Sequence, residues 1–277
     1  MILPNFASRR TDVFFGVFDG HGRDGDKCAL YVRDNLPPLL AKAVDNHHKK
    51  QLLEHRNKVG DLDKDFLHAA LHKSHMECNQ KMHLCESVDD SLSGTTSISV
   101  YLHGTSNRIT VSNVGDSRAV IGRKEKDNLK AFALSNDQTP YRKDERIRCR
   151  KAGARILSLD QIEGLEPVPV DEEGDENELL LGEEIDEGGD PPRIWSPNGD
   201  YPGTAFTRSI GDGIAEELGV CAQPEILGRE LSKEDRIIVL ASDGVFEVSH
   251  TTLVSIVFYL QCSSPVVVLV FDKSKCD

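Results

Sequence analysis

The stretch Phe14–Gly22, FFGVFDGHG, decides how the rest of the chain is read. Phe14, Phe15, Val17 and Phe18 suit a strand buried on both faces, and Asp19 and His21 emerge at its end between Gly20 and Gly22. The glycines let the backbone bend sharply and bring a main-chain carbonyl close to a ligand. An Asp beside a glycine carbonyl suits a small hard cation such as Mg²⁺ or Mn²⁺, which prefers oxygen ligands. The same residues also describe a plain turn with a solvated Asp and His, and this stretch alone weighs the two readings equally.

Composition bounds the remaining choices. A chain of 277 residues allows one large domain or two small ones with ample material for a core. A net charge of −13 without a basic stripe argues against a nucleic-acid binder. Seven cysteines, none in a CxxC pair, read as the reduced thiols of a cytosolic or nuclear protein. The N-terminal MILPNFASRRTDVFF lacks the apolar segment and cleavage site of a signal peptide.

After the glycine turn, Asp24 and Asp26 favour a helix N-terminus, and Cys28, Tyr31, Val32 and Leu36 recur at helical spacing until Pro37 and Pro38, which are expected to stop the helix. A second helix is expected over Leu62–Leu84, with Phe66, Ala69, Ala70 and Met76 on one buried stripe. It also carries His68, His72 and His75 at metal-holding spacing. With no Cys or acid in a zincin pattern, and Lys73 and Lys81 nearby, a wet surface is the preferred reading.

From Ser93 the period becomes that of strands. Thr96–Leu102, Arg108–Val114 and Arg118–Gly122 are expected to form an antiparallel meander, whose second turn holds Asp116, a second candidate carboxylate; taken alone, an Asx turn that simply closes a hairpin is the preferred reading of it. A basic helix follows from about Arg142 to Lys151, ending at Gly153. Between Arg155 and Arg193 there is no Lys or Arg, while Asp and Glu crowd Asp171–Asp190; this reads as a loosely held acidic insertion over about 160–192, in preference to a calcium site. Gly211-Asp212-Gly213 makes another acidic turn before a short helix. Finally Asp235–Leu240 is an apolar strand that terminates at Asp243-Gly244, so two such strands could join Asp19 and Asp243 in one acidic site.

VFDGHG at Val17–Gly22, SGTTS at Ser93–Ser97, NVGDSRAV at Asn113–Val120, DERIR at Asp144–Arg148, GTAFTRSIGD at Gly203–Asp212 and LASDGVFEV at Leu240–Val248 together resemble the metal-dependent protein phosphatase 2C family, in that family's order. LDQIEG, the acidic insertion and DPPRIW look closest to its plant and algal subgroup joined to cyclic-nucleotide-binding and kinase domains. The resemblance implies an α+β fold, an α-β-β-α sandwich of two antiparallel sheets flanked by helices, spanning about 1–250. It implies that Asp19 bridges two Mg²⁺ or Mn²⁺ ions, that the Gly20 carbonyl binds one of them, and that Asp243 is a further ligand. Asp116 with Asp243 would match a weaker third position, and His21 the general acid. The implied activity is hydrolysis of phosphoserine and phosphothreonine in protein substrates by a metal-activated water, with a monomer expected.

There are departures. The family's acidic motif and phosphate-holding Arg before the first strand are not matched by Arg9 and Arg10; the closing Asp-Asn pair is absent; and no Lys follows the GD at Gly211-Asp212. Both ends therefore read as shortened relative to the family, and the alternative is an inactive module that binds phosphoproteins or competes with a full-length enzyme. After Ser249 the likeness stops. The 251–277 tail has no charged side chain from Thr251 to Phe271, nearly enough to span a bilayer, but Gln261 to Pro265 interrupt it, and a helix and strand of the soluble fold or a non-native tail are preferred.

Overall fold

Alternation along the strands sorts the apolar residues into layers. Phe15, Val17, Ile98 and Val100 pack inward with Ile109 and Val111, while Phe14 and Tyr101 on the same strands point the other way into a second cluster. Likewise Ile238 and Leu240 face the inner cluster, and Ile237, Val239 and Ala241 face outward with Phe246. Two sheets with buried inner faces follow from this parity.

The computed structural model describes residues 1–54, 62–126, 128–168, 190–246 and the backbone of 267–271. In chain order the strands are β1 (Ile2–Pro4), β2 (Val13–Val17), β3 (Gly20–His21), β4 (Gly94–Thr95), β5 (Ser97–His103), β6 (Arg108–Val114), β7 (Arg118–Glu125), β8 (Asn128–Ala133), β9 (Arg155–Leu157), β10 (Arg193–Trp195), β11 (Pro202–Thr204), β12 (Ile210–Gly211), β13 (Glu225–Glu230), β14 (Asp235–Ala241) and β15 (Val267–Phe271). The helices are α1 (Gly25–Glu54), α2 (Lys64–His83), α3 (Lys143–Lys151), α4 (Leu159–Ile162), α5 (Gly213–Glu216) and α6 (Asp243–Phe246). Among the described residues one large sheet runs β1-β2-β5-β6-β13 and the other β15-β14-β7-β8. The expected α+β architecture of two sheets with helices outside is therefore present. Leu40, Val44, Leu67 and Leu71 of α1 and α2 cover Phe14 and Tyr101 on the outer face of the first sheet.

Three expectations are corrected. Pro37 and Pro38 do not end the first helix; α1 runs through them to Glu54. Each removes an amide that would bond to Arg33 or Asp34, but those two residues are exposed and water can satisfy their carbonyls. The buried stripe Leu36, Leu40 and Val44 straddles the prolines, and burying such side chains contributes roughly 1.5–3 kcal/mol each, comparable with the ~3 kcal/mol cost of an interior proline.

The meander is the second correction. β5 and β6 form the expected hairpin, but β7 pairs with β14 and β8 rather than with β6. The turn Asn113–Ser117 is a crossover between the sheets. Third, the second helix does not turn all three histidines to water: His75 is fully buried, His68 half-buried and His72 exposed, so the three diverge and share no ligand. Its buried stripe is Leu67, Ala70, Leu71, Ser74, His75, Cys78, Asn79 and Met82, leaving Ala69 exposed.

The acidic insertion lies largely outside the described residues, at 169–189. Its flanks are held: β9 and β10 pair antiparallel, Leu157 opposite Arg193. In the tail, Val267–Phe271 pairs parallel with β14, the one parallel pair among the described strands of the large sheets; 251–266 lie outside the described residues. No described helix is long and apolar enough to cross a membrane.

Candidate active site

Strand register gathers the acidic turns at one end of the sandwich. Val17 pairs with Ile98, Ser97 with Val114, and Ala241 with Arg118. Asp19, Thr96, Asp116 and Asp243 each lie one to three residues beyond those pairs, on the same side. Hydrogen bonds through Thr96 link the Asp19 and Asp116 turns. The Asp19 amide donates to Thr96 Oγ1 at 3.1 Å, Thr96 donates its own amide to the Asp19 carbonyl at 2.9 Å, and Thr96 Oγ1 meets Ser117 Oγ at 2.7 Å, beside Asp116.

The Asp116 turn is fixed from behind by Gln138, which is fully buried. Its Oε1 accepts the Gly115 amide at 2.7 Å, its main-chain N–H donates to the Gly115 carbonyl at 3.1 Å, and its Nε2 donates to the Asn113 carbonyl at 3.2 Å. Burial, and next the Asp243 carboxylate, push the Asp116 carboxyl up to about 7, with His21 acting in the opposite direction. Carboxylates crowded in this way favour a cation between them. The donor set of Asp19, Asp116 and Asp243 carboxylates with the Gly20 carbonyl is all oxygen, as Mg²⁺ or Mn²⁺ requires, so these residues fit hard divalent ions.

Among the described residues the group of three acids with ligand atoms within 4.8 Å of one another is Asp144, Glu145 and Glu225, not the trio at the sheet ends. That compact group is already neutralised. Arg208 spans Glu145 and Glu225, Arg142 bonds to Asp144 and Glu225, and Arg148 bonds to Glu145 at 2.6 Å. Burial would raise the Glu145 carboxyl, but bonds from Arg208, Arg148 and Thr207 outweigh it and hold the group at about 2. This network joins the DERIR helix to Thr207 and Arg208, directly before the residues that reach His21.

His21 stands on β3 with its Nε2 2.5 Å from Asp212 Oδ2 and 3.5 Å from Ser209 Oγ, and its ring lies 4.3 Å from that of Phe206. Asp212 is 2% exposed and holds φ +56°, just past β12. Gly94 on β4 makes room for it: a Cβ there would meet Asp212 Oδ2 at 2.2 Å. As a carboxylate, Asp212 only accepts, so Nε2 carries the hydrogen and Nδ1 is left to exchange a proton.

The sequence reading missed Asp212 as a site residue and treated it as a turn. Its available signal was the αL-prone Gly-Asp-Gly run, which places an acid in a conformation with little other use.

Two sheets, an acidic end and an imidazole held by a buried carboxylate define the class, and comparison with known proteins gives the family. The protein phosphatase 2C family pattern matches residues 1–259, and the chain belongs to that family, which is metal-dependent. It is 44% identical over 234 residues to probable protein phosphatase 2C 35 of Arabidopsis thaliana, covering 84% of this chain and 59% of that protein. It is 30% identical over 279 residues to probable protein phosphatase 2C 14 of Oryza sativa subsp. japonica, covering 93% of this chain and 48% of that one. The chain thus spans about half to three-fifths of the length of these curated relatives. The fold is also that of the serine-threonine phosphatase 2C from Toxoplasma gondii, at TM-score 0.68 and 20% identity over 91% of this chain and 74% of that one.

Proposed function

We propose that this chain is a metal-dependent protein serine/threonine phosphatase using Mg²⁺ or Mn²⁺, with Asp19, the Gly20 carbonyl and Asp243 holding the ions and Asp116 completing a weaker position. The observation that carries this reading is His21, held 2.5 Å from the buried Asp212 carboxylate, at the sheet end to which strand register brings the Asp19, Asp116 and Asp243 turns. When bound, such ions lower the pKa of a coordinated water and neutralise the phosphoryl oxygens.

The chain's own residues supply orientation and the proton. His21 Nδ1 delivers a proton to the departing serine or threonine oxygen, while Asp212 holds the ring and balances its charge. Thr96 and Gln138 fix the Asp19 and Asp116 turns, so the carboxylates need little rearrangement to take up ions. No side chain acts as nucleophile.

The test is hydrolysis of a phosphothreonine peptide by the purified chain across a Mn²⁺ titration, with chelator and Asp19→Ala as controls. Turnover that rises with Mn²⁺ and vanishes in both controls is expected. A folded chain that stays inactive at saturating Mn²⁺ would overturn the reading and leave a phosphoprotein-binding relative.

A further inference from the structure

At the end of the second sheet remote from the carboxylates, a groove of about 280 Å³ is lined by Lys124, Lys126, Lys233, Glu234 and Arg236. Four cations face one acid here, in a chain whose net charge is −13. Among the described residues none of the four cations makes an ion pair, whereas the nearby acids are engaged: Glu125 with Lys130, and Asp235 with Arg123 and Arg229.

The backbone builds this convergence. On β14, Asp235 pairs with Arg123 and Ile237 with Gly122, so Arg236 is an extra residue without a partner on β7. Such a bulge re-aims its side chain away from the regular alternation. Lys126 follows the end of β7 at φ +56°, a conformation unfavourable for a residue with a Cβ. The Lys124 amide donates to the Glu234 carbonyl at 2.8 Å and ties the two turns together. An irregular ladder and a left-handed lysine on neighbouring turns thus hold like charges close to one another.

We propose that this groove docks an acidic segment of the protein substrate; the proposal rests on the phosphatase reading above. Charge complementarity selects the occupant, because an acidic chain is repelled by most of this surface and attracted here. β7 runs from Arg118, beside the Asp116 turn, to Glu125 at the groove, and at ~3.3 Å per residue it spans roughly 25 Å. The acidic segment therefore lies at least about eight residues from the phosphorylated residue.

Binding of a fluorescent Asp/Glu-rich peptide without phosphate, followed by anisotropy, tests the groove apart from catalysis. The wild-type chain is expected to bind it, more weakly as salt is raised, and the triple variant Lys124→Glu/Lys126→Glu/Arg236→Glu to bind about tenfold or more weakly. The neutral Lys124→Gln/Lys126→Gln/Arg236→Gln variant, checked for native circular dichroism, is expected to fall between. For a phosphopeptide carrying a distal acidic stretch, KM rises in both variants with kcat unchanged, and hydrolysis of 4-nitrophenyl phosphate is unaffected.

Equal peptide binding by wild type and variants overturns the proposal. So does capture of phosphatidylserine vesicles in place of the peptide. Peptide binding that the variants lose, in a chain that hydrolyses nothing, upholds the groove and overturns the catalytic reading alone.

Discussion

His21 Nε2 and Asp212 Oδ2 lie 2.5 Å apart although 191 residues separate them in sequence. The bond needs the close approach of β3, β4 and β12, which form one short sheet, and it needs Gly94 to have no side chain. Asp212→Asn keeps the volume and removes the charge that balances His21. It is expected to lower kcat for a phosphoserine peptide by about 100-fold while changing 4-nitrophenyl phosphate hydrolysis by less than about threefold, because a nitrophenolate leaves without a proton. Gly94→Ala should show the same pattern, with native circular dichroism checking that both variants fold. Equal losses on both substrates would contradict the role given to the pair.

Glu145 is 1% exposed and accepts bonds from Thr207, Arg148 and Arg208. Glu145→Gln leaves two arginines facing an uncharged amide in a buried place and is expected to destabilise the fold by about 3–5 kcal/mol in urea unfolding. A change below ~1 kcal/mol would mean that water solvates these arginines.

His75 is buried and neutral: burial lowers its imidazole to about 4, against the raising effect of the bond that Nδ1–H donates to the Leu71 carbonyl at 2.8 Å. The unfolded chain therefore binds the proton first as pH falls. The stability this residue contributes is fully present above the unfolded value of 6.5 and is lost as pH drops towards 4. Its share of the loss is about 3 kcal/mol, and His75→Gln is expected to flatten that slope in urea midpoints measured across this range.

Pro38 is exposed inside α1, whereas Pro37 is buried. Pro38→Ala restores an amide donor to the helix and is expected to stabilise the chain by about 1–2 kcal/mol, read as a higher thermal midpoint. A lower midpoint would mean that the pyrrolidine ring is needed where it stands.

Much of this arrangement is legible in the sequence because it is local. Phe14–Val17 and Asp235–Leu240 announce buried strands, and each is followed by an Asp-Gly turn that register brings to the same end. The partner of His21 is not legible in that way, because Asp212 acquires its role only when β12 docks beside β4. The sheet exchange between β6 and β7 escapes for a related reason. Asn113–Ser117 has the composition of a hairpin turn, and only the burial of both faces of β7, with Ile121 inward and Val120 outward, sends that strand to the second sheet. Pro37 and Pro38 misled through a local rule that the packing of Leu36 and Leu40 overrides.

Calorimetric titration of the purified chain with Mn²⁺, alongside Asp19→Ala, Asp243→Asn and Glu225→Gln, asks where the cations bind. If the sheet-end carboxylates form the metal centre, the wild type takes up at least two ions per chain, Asp19→Ala and Asp243→Asn lose most of that heat, and Glu225→Gln retains it. Binding that survives in Asp19→Ala and Asp243→Asn but disappears in Glu225→Gln would move the metal to the arginine-paired cluster and contradict the assignment.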